Sequence, residues 1–229
     1  MGKRPRFFRW LALLGVAASA LAASHGSAQQ QVDARTVAAR VQTFYDQTRT
    51  FEAAFHQTYF NRLYGRYERS SGQLAFEKPG RMRFDYARPN GKIIVSNGDR
   101  LTMWEPGDEG GPGQYVQSAT DGSALPSAFS FLTGTGRLET DFRFRLLSSR
   151  AWGFAGHVLE LTPRRPDPNT RRIVLFVDAD PARLGAVHRV RIDDHEGNRN
   201  KFEVSSMHFN RPIVESRFAF VPPAGARRL

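Results

Sequence analysis

Cysteine is absent from this 229-residue chain, so the protein can form no disulfide and cannot be lipidated on a cysteine. Its fold must therefore depend on the core alone. Beyond residues 1–28, no stretch is long and apolar enough to predict a membrane-spanning helix, which needs about 20 predominantly apolar residues. These absences exclude a disulfide scaffold and a protein anchored to a membrane through a cysteine.

Recognisable catalytic motifs are missing as well. The chain has no Gly-x-Ser-x-Gly elbow and no His-Glu-x-x-His zinc motif. The five histidines after residue 28 are scattered over separate predicted strands or turns, and the acidic stretch Asp193–Glu196 falls in a predicted turn, where solvated polar residues are common. We therefore expect no enzyme activity, no metal site and no cofactor. An enzymatic function remains an alternative only if several of the scattered histidines converge in space.

Residues 1–28 have the three zones of a secretory signal peptide: a basic start, an apolar stretch from Trp10 to Ala23, and small residues. The apolar stretch is too short and too rich in alanine for a membrane anchor. Cleavage is expected after Ala28, with Ala22 as the alternative, and leaves residues 29–229 as one domain in the periplasm. Loss of the four basic residues lowers the formal net charge from +11 to +7, so no nucleic-acid partner is expected.

After the signal, one amphipathic helix is predicted to begin at the N-cap Asp33, with Val37, Val41 and Phe44 on one face. From Thr50 onward the apolar period changes to two. Turn signals, of which Asn97-Gly98 is the strongest, separate these alternating runs. The pattern predicts a mainly β fold, either a barrel or a strongly curved antiparallel sheet, interrupted by a short helical segment at residues 121–136.

Arginines alternate with apolar residues along several predicted strands, for example in the stretches 81–84 and 142–145. Alternation places the aromatics on a concave face and the arginines on a convex one. We expect that convex face to be solvated, and attraction to anionic lipid or an acidic partner stays open. Because two short helices cannot fill a curved sheet, the many aromatics favour a cavity for a hydrophobic ligand.

The stretch from Gly72 to Tyr86 resembles the signature of the outer-membrane lipoprotein carrier family, LolA. The similarity continues through Pro89 and residues 93–104, through residues 131–136, and into the ending at residues 218–226. The resemblance implies an incomplete, half-open antiparallel β-barrel closed by a lid of short α-helices over one apolar cavity.

The same resemblance implies a monomeric periplasmic carrier without covalent chemistry. Its cargo would be triacylated lipoproteins, received from an inner-membrane lipoprotein-releasing ABC transporter and delivered to an outer-membrane lipoprotein receptor. Two alternatives keep the fold: a periplasmic shuttle for lipids or glycolipids, and a lipid-sensing regulatory protein that binds a membrane partner.

Site residues follow from the alternation together with the resemblance. Lys78 occupies the position of a family arginine that hydrogen-bonds to the lid, and lysine lacks the rigid guanidinium fork, so we expect a weaker latch and easier opening of the empty protein. The expected lid residues are Val37, Val41, Phe44, Leu125, Phe129 and Leu132. The expected acyl-chain cavity is lined by Phe55, Leu74, Phe76, Met82, Phe84, Tyr86, Ile93, Val95, Leu101 and Met103.

Overall fold

The computed structural model describes residues 32–119, 134 and 136–229. This part of the chain forms two α-helices and one twelve-stranded sheet. The helices are α1 (Ala34–Asp46) and α2 (Leu138–Asp141). The strands are β1 (Thr50–Asn61), β2 (Arg66–Glu77), β3 (Arg81–Tyr86), β4 (Ile93–Asn97), β5 (Arg100–Glu105), β6 (Gln114–Ala119), β7 (Phe142–Leu147), β8 (His157–Pro163), β9 (Arg172–Val177), β10 (Val187–Asp193), β11 (Arg199–Phe209) and β12 (Arg227–Arg228).

The sheet runs in the order β12-β6-β5-β4-β3-β2-β1-β11-β10-β9-β8-β7. Every pairing is antiparallel except the short parallel contact between β12 and β6. Strands β12 and β7 are left as edges, so the sheet curves without closing, and the predicted half-open, mainly β architecture is confirmed. None of the helices in the described residues combines the length and the apolar character needed to cross a bilayer.

Helix α1 begins as the sequence predicts. The Asp33 carboxylate accepts a hydrogen bond from the Thr36 amide at 2.7 Å, which satisfies one of the unpaired N–H groups of the first turn. Val37 and Val41 are fully buried on the face turned to the sheet. Near the C-terminal end, the Tyr45 hydroxyl accepts a hydrogen bond from the Val187 amide at 3.1 Å, so α1 is fixed to β10 by a satisfied buried polar group.

The core lies between α1 and the concave face of the sheet. Tyr45 meets Phe51 edge-on at a ring separation of 6.5 Å, and Phe51 stacks on Phe209 at 4.9 Å. Phe44, on the same helix, also meets Phe209 edge-on at 4.9 Å. Offset-stacked and edge-to-face geometries are the ones that aromatic pairs prefer, and burial of each large side chain contributes about 1.5–3 kcal/mol. This half of the concave face is therefore a packed core.

Gly72 allows β2 and β3 to approach each other closely above Phe55. A Cβ atom at this position would lie 2.0 Å from the Asp85 carbonyl oxygen and 2.8 Å from the Phe55 ring. We expect Gly72→Ala to lower the free energy of unfolding by about 1–3 kcal/mol, the range for overpacking, measured as a shift of the urea midpoint. The neighbouring substitution Ser71→Ala is the control, and an equal effect of the two would contradict the steric explanation.

The convex face differs from the predicted solvated basic layer. Glu160 and Asp193 are only 6% and 1% exposed there. Arg172 bridges them, with its Nε donating to Asp193 at 2.7 Å and its Nη1 donating to Glu160 at 2.9 Å. Arg191 and Arg145 add further hydrogen bonds to Asp193 and Glu160, at 2.6 and 2.9 Å. The prediction is wrong in this region because buried acids from neighbouring strands pair with the arginines.

A second part of the convex face is covered by the chain segment that leads to the C-terminus. Arg83 Nη1 donates to the carbonyl oxygens of Arg217 and Ala219 at 3.1 Å each, and its Nε donates to Asp85 at 2.8 Å. The Phe218 side chain is buried. The sheet therefore has covered regions on both faces, and the concave face retains the open cavity that is described next.

Candidate functional site

A cavity of about 460 Å³ occupies the part of the concave face that the core beneath α1 does not fill. This volume lies within the roughly 300–1,000 Å³ of small-molecule sites. Strands β1 to β5, β10 and β11 and the turn between β3 and β4 supply its walls. The lining residues are Gln57, Tyr59, Glu68, Ser70, Met82, Phe84, Tyr86, Asn90, Lys92, Ile94, Leu101, Met103, Ile192, Asn200 and Phe202.

The apolar part of the lining is built by strand alternation and register. Met82, Phe84 and Tyr86 alternate along β3, so all three point to the concave face. Ile94 lies opposite Phe84 in the neighbouring β4, and Met103 lies opposite Ile94 in β5. One transverse row of the sheet therefore presents adjacent apolar side chains. Met103 in this row and Met82 further along β3 are flexible enough to accommodate ligands of different shape.

Two phenylalanines separate this cavity from the core beneath α1. Phe84 and Phe202 line both the cavity and a small space of about 20 Å³ beside Tyr45. Phe55 packs between them, with ring separations of 5.6 Å to Phe84 and 6.0 Å to Phe202. This cluster of aromatic rings is therefore what separates the cavity from the core.

The rest of the lining includes polar side chains, several of which are already hydrogen-bonded or ion-paired. Gln57 donates to Asn200 at 2.8 Å, and Asn90 donates to Ser70 at 3.1 Å. Lys92 forms an ion pair of 2.6 Å with Glu105. The polar groups make one side of the cavity, which we call the polar mouth, suitable for the uncharged polar part of an amphiphile.

Two tyrosines of the lining stay neutral at physiological pH. Burial raises the pKa of Tyr86 to about 12. Burial also raises the pKa of Tyr59, and the negative charges of Asp194, Glu68 and Glu196 act in the same direction. Both hydroxyls therefore act as hydrogen-bonding groups and not as charges, which favours a ligand whose buried part is apolar.

Five of the ten residues predicted for the cavity line it, and three others are buried beneath α1. Leu74 and Phe76 line the small space beside Tyr45, and Phe55 belongs to the aromatic cluster. The five that line the cavity are Met82, Phe84, Tyr86, Leu101 and Met103.

The prediction for β4 places the wrong residues in the cavity. Val95 lies on the opposite face, where it lines a groove with Phe218 and Phe220, and Ile93 shares its face because side chains two apart in a strand do so. Ile94 points into the cavity in their place. Three consecutive apolar residues carry no alternation signal, so only the pairing with β3 decides the face.

Other residues that line the cavity are not among the ten predicted ones, although their strands show the same alternation of side chains. Gln57 and Tyr59 continue, at the spacing of two, the alternation that ends at Phe55. Ile192 and Phe202 belong to predicted alternating runs on β10 and β11. The signal for the polar mouth is the spacing of two, followed along each strand beyond its last apolar residue to the polar residues on the same face.

The predicted lid residues in α1 pack onto the core of the sheet. Val37 and Val41 are buried, and Phe44 contacts Phe209. The other three predicted lid residues, Leu125, Phe129 and Leu132, lie outside the described residues. The role of these six side chains as a lid stays a prediction.

Lys78, the predicted latch, lies in the turn between β2 and β3 and contacts α1. Its Nζ donates to the carbonyl oxygen of Tyr45 in the last turn of α1, which also accepts from the Thr48 amide at 3.0 Å. Its side chain also passes close to Gly134, whose added Cβ would lie 3.1 Å from Lys78 Cδ. Partial burial lowers the pKa of the Lys78 ammonium group, although the charge of Asp46 opposes this shift.

Among residues 32–119, 134 and 136–229, no three His, Asp or Glu side chains cluster in a way that fits a metal ion. The hydrogen bonds of the histidines are local: His188 pairs with Asp178 at 2.8 Å, and His195 contacts the Asp167 carbonyl oxygen at 2.9 Å. The chemistry this site supports best is reversible burial of apolar chains.

Comparisons with known proteins show which family the sequence resembles. A sequence profile described as "Outer membrane lipoprotein carrier protein LolA" matches residues 46–221. An outer-membrane lipoprotein carrier protein from Methylibium petroleiphilum is 30% identical over 220 residues, which cover 95% of each chain. A protein of the same description from Nitrosospira multiformis is 26% identical over 187 residues, covering 81% of this chain and 84% of that one.

Among solved structures, a LolA superfamily protein from Nitrosomonas europaea is 14% identical, with a TM-score of 0.44, and the match covers 83% of this chain and 99% of that one. The family profile spans more than half of the chain, and a relative at 30% identity covers nearly all of it. The chain belongs to the LolA family of outer membrane lipoprotein carrier proteins.

Proposed function

We propose that this protein encloses the acyl chains of lipoproteins released from the inner membrane and carries them across the periplasm to the outer membrane. The observation that carries the proposal is the cavity of about 460 Å³ with an apolar lining and a polar mouth. Family membership supports the class of cargo, since proteins of the LolA family are periplasmic carriers of lipoproteins and not enzymes.

The physical need for such a cavity follows from the cargo. Each methylene transferred out of water is worth about 0.8 kcal/mol, so a free acyl chain is strongly driven to any apolar surface. At about 30 Å³ for a water-sized group, 460 Å³ holds about 15 such groups, which is the size of one acyl chain. Room for further chains requires the rings of Phe84 and Phe202 to move and the core beneath α1 to open.

The finer parts of the proposal concern export and partners. Residues 1–28 act as the cleaved signal, and residues 29–229 form the mature carrier. The carrier works as a monomer without catalysis, takes lipoproteins from an inner-membrane lipoprotein-releasing ABC transporter and passes them to an outer-membrane lipoprotein receptor. A protein that is anchored to neither membrane suits transport between the two.

The test of cargo class is a displacement titration. The purified mature protein is loaded with a pyrene-labelled fatty acid and titrated with a triacylated peptide that bears the lipoprotein N-terminus. We expect this peptide to displace the probe at lower concentration than a phospholipid or lipid A does. Stronger displacement by lipid A or phospholipid would contradict the proposal and support the lipid shuttle. No probe binding at all would support the regulatory alternative.

Within this proposal α1 is the lid and Lys78 holds it. Loss of the hydrogen bond to the Tyr45 carbonyl oxygen removes about 1.5–3 kcal/mol, the range for a charged donor. We therefore expect Lys78→Ala to accelerate uptake of a pyrene-labelled triacylated peptide, whose further chains need the core beneath α1 to open, at least tenfold in stopped-flow fluorescence. Lys78→Arg adds donors in a fixed fork and is expected to slow uptake. Arg150→Ala, an exposed cation far from α1 in sequence, is the control. Equal rates for all four proteins would refute the latch.

A further inference from the structure

The β1–β2 hairpin ends in a tip that the rest of the described chain leaves uncovered. We call residues 62–69 the hairpin tip, and all eight are exposed. Leu63, Tyr64 and Tyr67 are 82%, 70% and 56% exposed, so three large apolar side chains face solvent together. Exposed apolar residues are common singly but rarely adjacent on a soluble protein, where clusters mark interaction sites.

The apolar side chains of the tip are interleaved with arginines. Arg62, Arg66 and Arg69 are exposed and form no ion pair with any residue that the structure describes. Acidic residues do lie nearby: Glu68 in the tip itself, and Asp194 and Glu196 in the adjacent β10–β11 turn.

The acids of the adjacent turn are held by hydrogen bonds of their own. Asp194 accepts from the backbone amide of Asn198 at 2.8 Å and from its side chain at 2.7 Å, and Glu196 accepts from the same side chain at 3.3 Å. The Arg62 side chain passes over Gly197, and its backbone amide donates to Asn198 at 2.9 Å. The turn therefore supports the base of the tip and leaves its three guanidinium groups available to an anionic partner.

From these observations we propose that the hairpin tip binds the surface of an anionic phospholipid bilayer. Tyrosine and leucine enter the boundary between headgroups and acyl chains, and arginines contact the phosphates. A stable protein interface uses about 20–30 residues on each partner, which is more than the eight residues of the tip. A bilayer is held by a few inserted side chains and a few basic charges, which this tip provides.

The tip is adjacent to the mouth of the cavity. Tyr59 and Glu68 face each other across the hairpin, and both line the cavity. The turn of the hairpin begins at Arg62, only three residues beyond Tyr59. Docking of the tip therefore brings the polar mouth to the membrane surface, so an acyl chain passes between bilayer and cavity with little exposure to water. This last consequence rests on the proposed carrier function, whereas membrane binding by the tip does not.

The test is co-flotation of the purified mature protein with vesicles of phosphatidylglycerol and phosphatidylethanolamine, compared with vesicles of phosphatidylcholine. We expect binding to the anionic vesicles only. The apolar variant Leu63→Ser/Tyr64→Ser is expected to lower the affinity at least tenfold. The charge variant Arg62→Gln/Arg66→Gln/Arg69→Gln is expected to lower it up to about a hundredfold, from roughly fivefold per basic residue.

Matched controls are available elsewhere on the surface. Val214→Ser/Val221→Ser removes two exposed apolar side chains, and Arg49→Gln/Arg150→Gln/Arg211→Gln removes three exposed charges away from the tip. Both controls are expected to bind like the wild type. The proposal would be overturned if a control lost as much affinity for the anionic vesicles as its tip variant does, or if the tip variants lost none. Binding to neutral vesicles alone would also overturn it, as would binding that requires a membrane protein in the vesicles.

A second readout separates this proposal from the carrier function. Uptake of the pyrene-labelled fatty acid from solution is expected to be the same for the wild type and the tip variants, because none of the substituted residues lines the cavity. If the tip variants take up the fatty acid normally and bind vesicles as well as the wild type does, membrane binding by the tip is refuted and the carrier function is not. Absent uptake in the wild type would refute the carrier function and leave the vesicle result to decide the tip.

Discussion

The double substitution Ile94→Trp/Met103→Trp is expected to lower the affinity for an acyl chain by more than tenfold. The two residues lie directly opposite each other on β4 and β5 and both line the cavity. Indole rings at these positions occupy space that the chain needs. Exclusion of even two methylenes removes about 1.6 kcal/mol of transfer free energy, which is more than a tenfold change in affinity. Equilibrium titration with the pyrene-labelled fatty acid measures this change in affinity.

A matched control places the same ring on the other face of the sheet. Ser205 is exposed and lies opposite Ala54 on the convex side of β11, so Ser205→Trp is expected to leave the affinity unchanged. Thermal unfolding of both variants establishes that they are folded. Unchanged binding by a folded Ile94→Trp/Met103→Trp protein would show that acyl chains bind elsewhere.

The substitution Asp193→Ala is expected to lower the free energy of unfolding by about 3 kcal/mol. Asp193 is nearly fully buried and accepts hydrogen bonds from Arg172 and Arg191, and a broken buried pair costs about 3–5 kcal/mol. The lower end applies because both guanidinium groups keep partial access to water. Glu203→Ala, which removes a half-exposed pair with Arg189, is the control and is expected to cost less than about 1 kcal/mol.

The loss of stability caused by Asp193→Ala is expected to depend on pH. Burial alone would raise the pKa of Asp193, but hydrogen bonds and charges from Arg191 and Arg172 outweigh it and hold the pKa below its usual value of 3.8. A depressed pKa in the folded state means that the stabilisation is complete above the unfolded-state pKa of 3.8 and is lost as the pH falls from there through the lower folded-state pKa. Urea unfolding should therefore show the difference between wild type and Asp193→Ala shrinking below about pH 4. A difference independent of pH would contradict the ion-pair account.

Local features of the fold could be predicted from the sequence because their signals are local. Asp33 caps α1, and Val37 and Val41 face the sheet, since a cap residue and a helical period are visible within a few positions. Likewise Met82, Phe84 and Tyr86 reach the cavity because β3 alternates clearly between arginine and apolar residues. The resemblance to the family added the half-open form of the sheet, which alternation left undecided between barrel and curved sheet.

Other features depend on contacts between distant parts of the chain. Ile94 points into the cavity because β4 pairs with β3 in one register, and the sequence Ile-Ile-Val favours neither face. Arg172 of the convex face finds Glu160 and Asp193 on the two neighbouring strands, so the composition of its own strand cannot reveal these ion pairs. The division of the concave face into a core and a cavity depends on Phe84 and Phe202, which are more than a hundred positions apart in the chain.

The most direct test of the carrier function is native mass spectrometry of the protein isolated from the periplasm of a Gram-negative cell whose lipoprotein-releasing transporter is active. The account predicts a complex of one carrier with one triacylated lipoprotein, which is lost in Ile94→Trp/Met103→Trp and retained in Ser205→Trp. A protein that carries only phospholipid or glycolipid, or that carries no lipoprotein in any of the three forms, would contradict it.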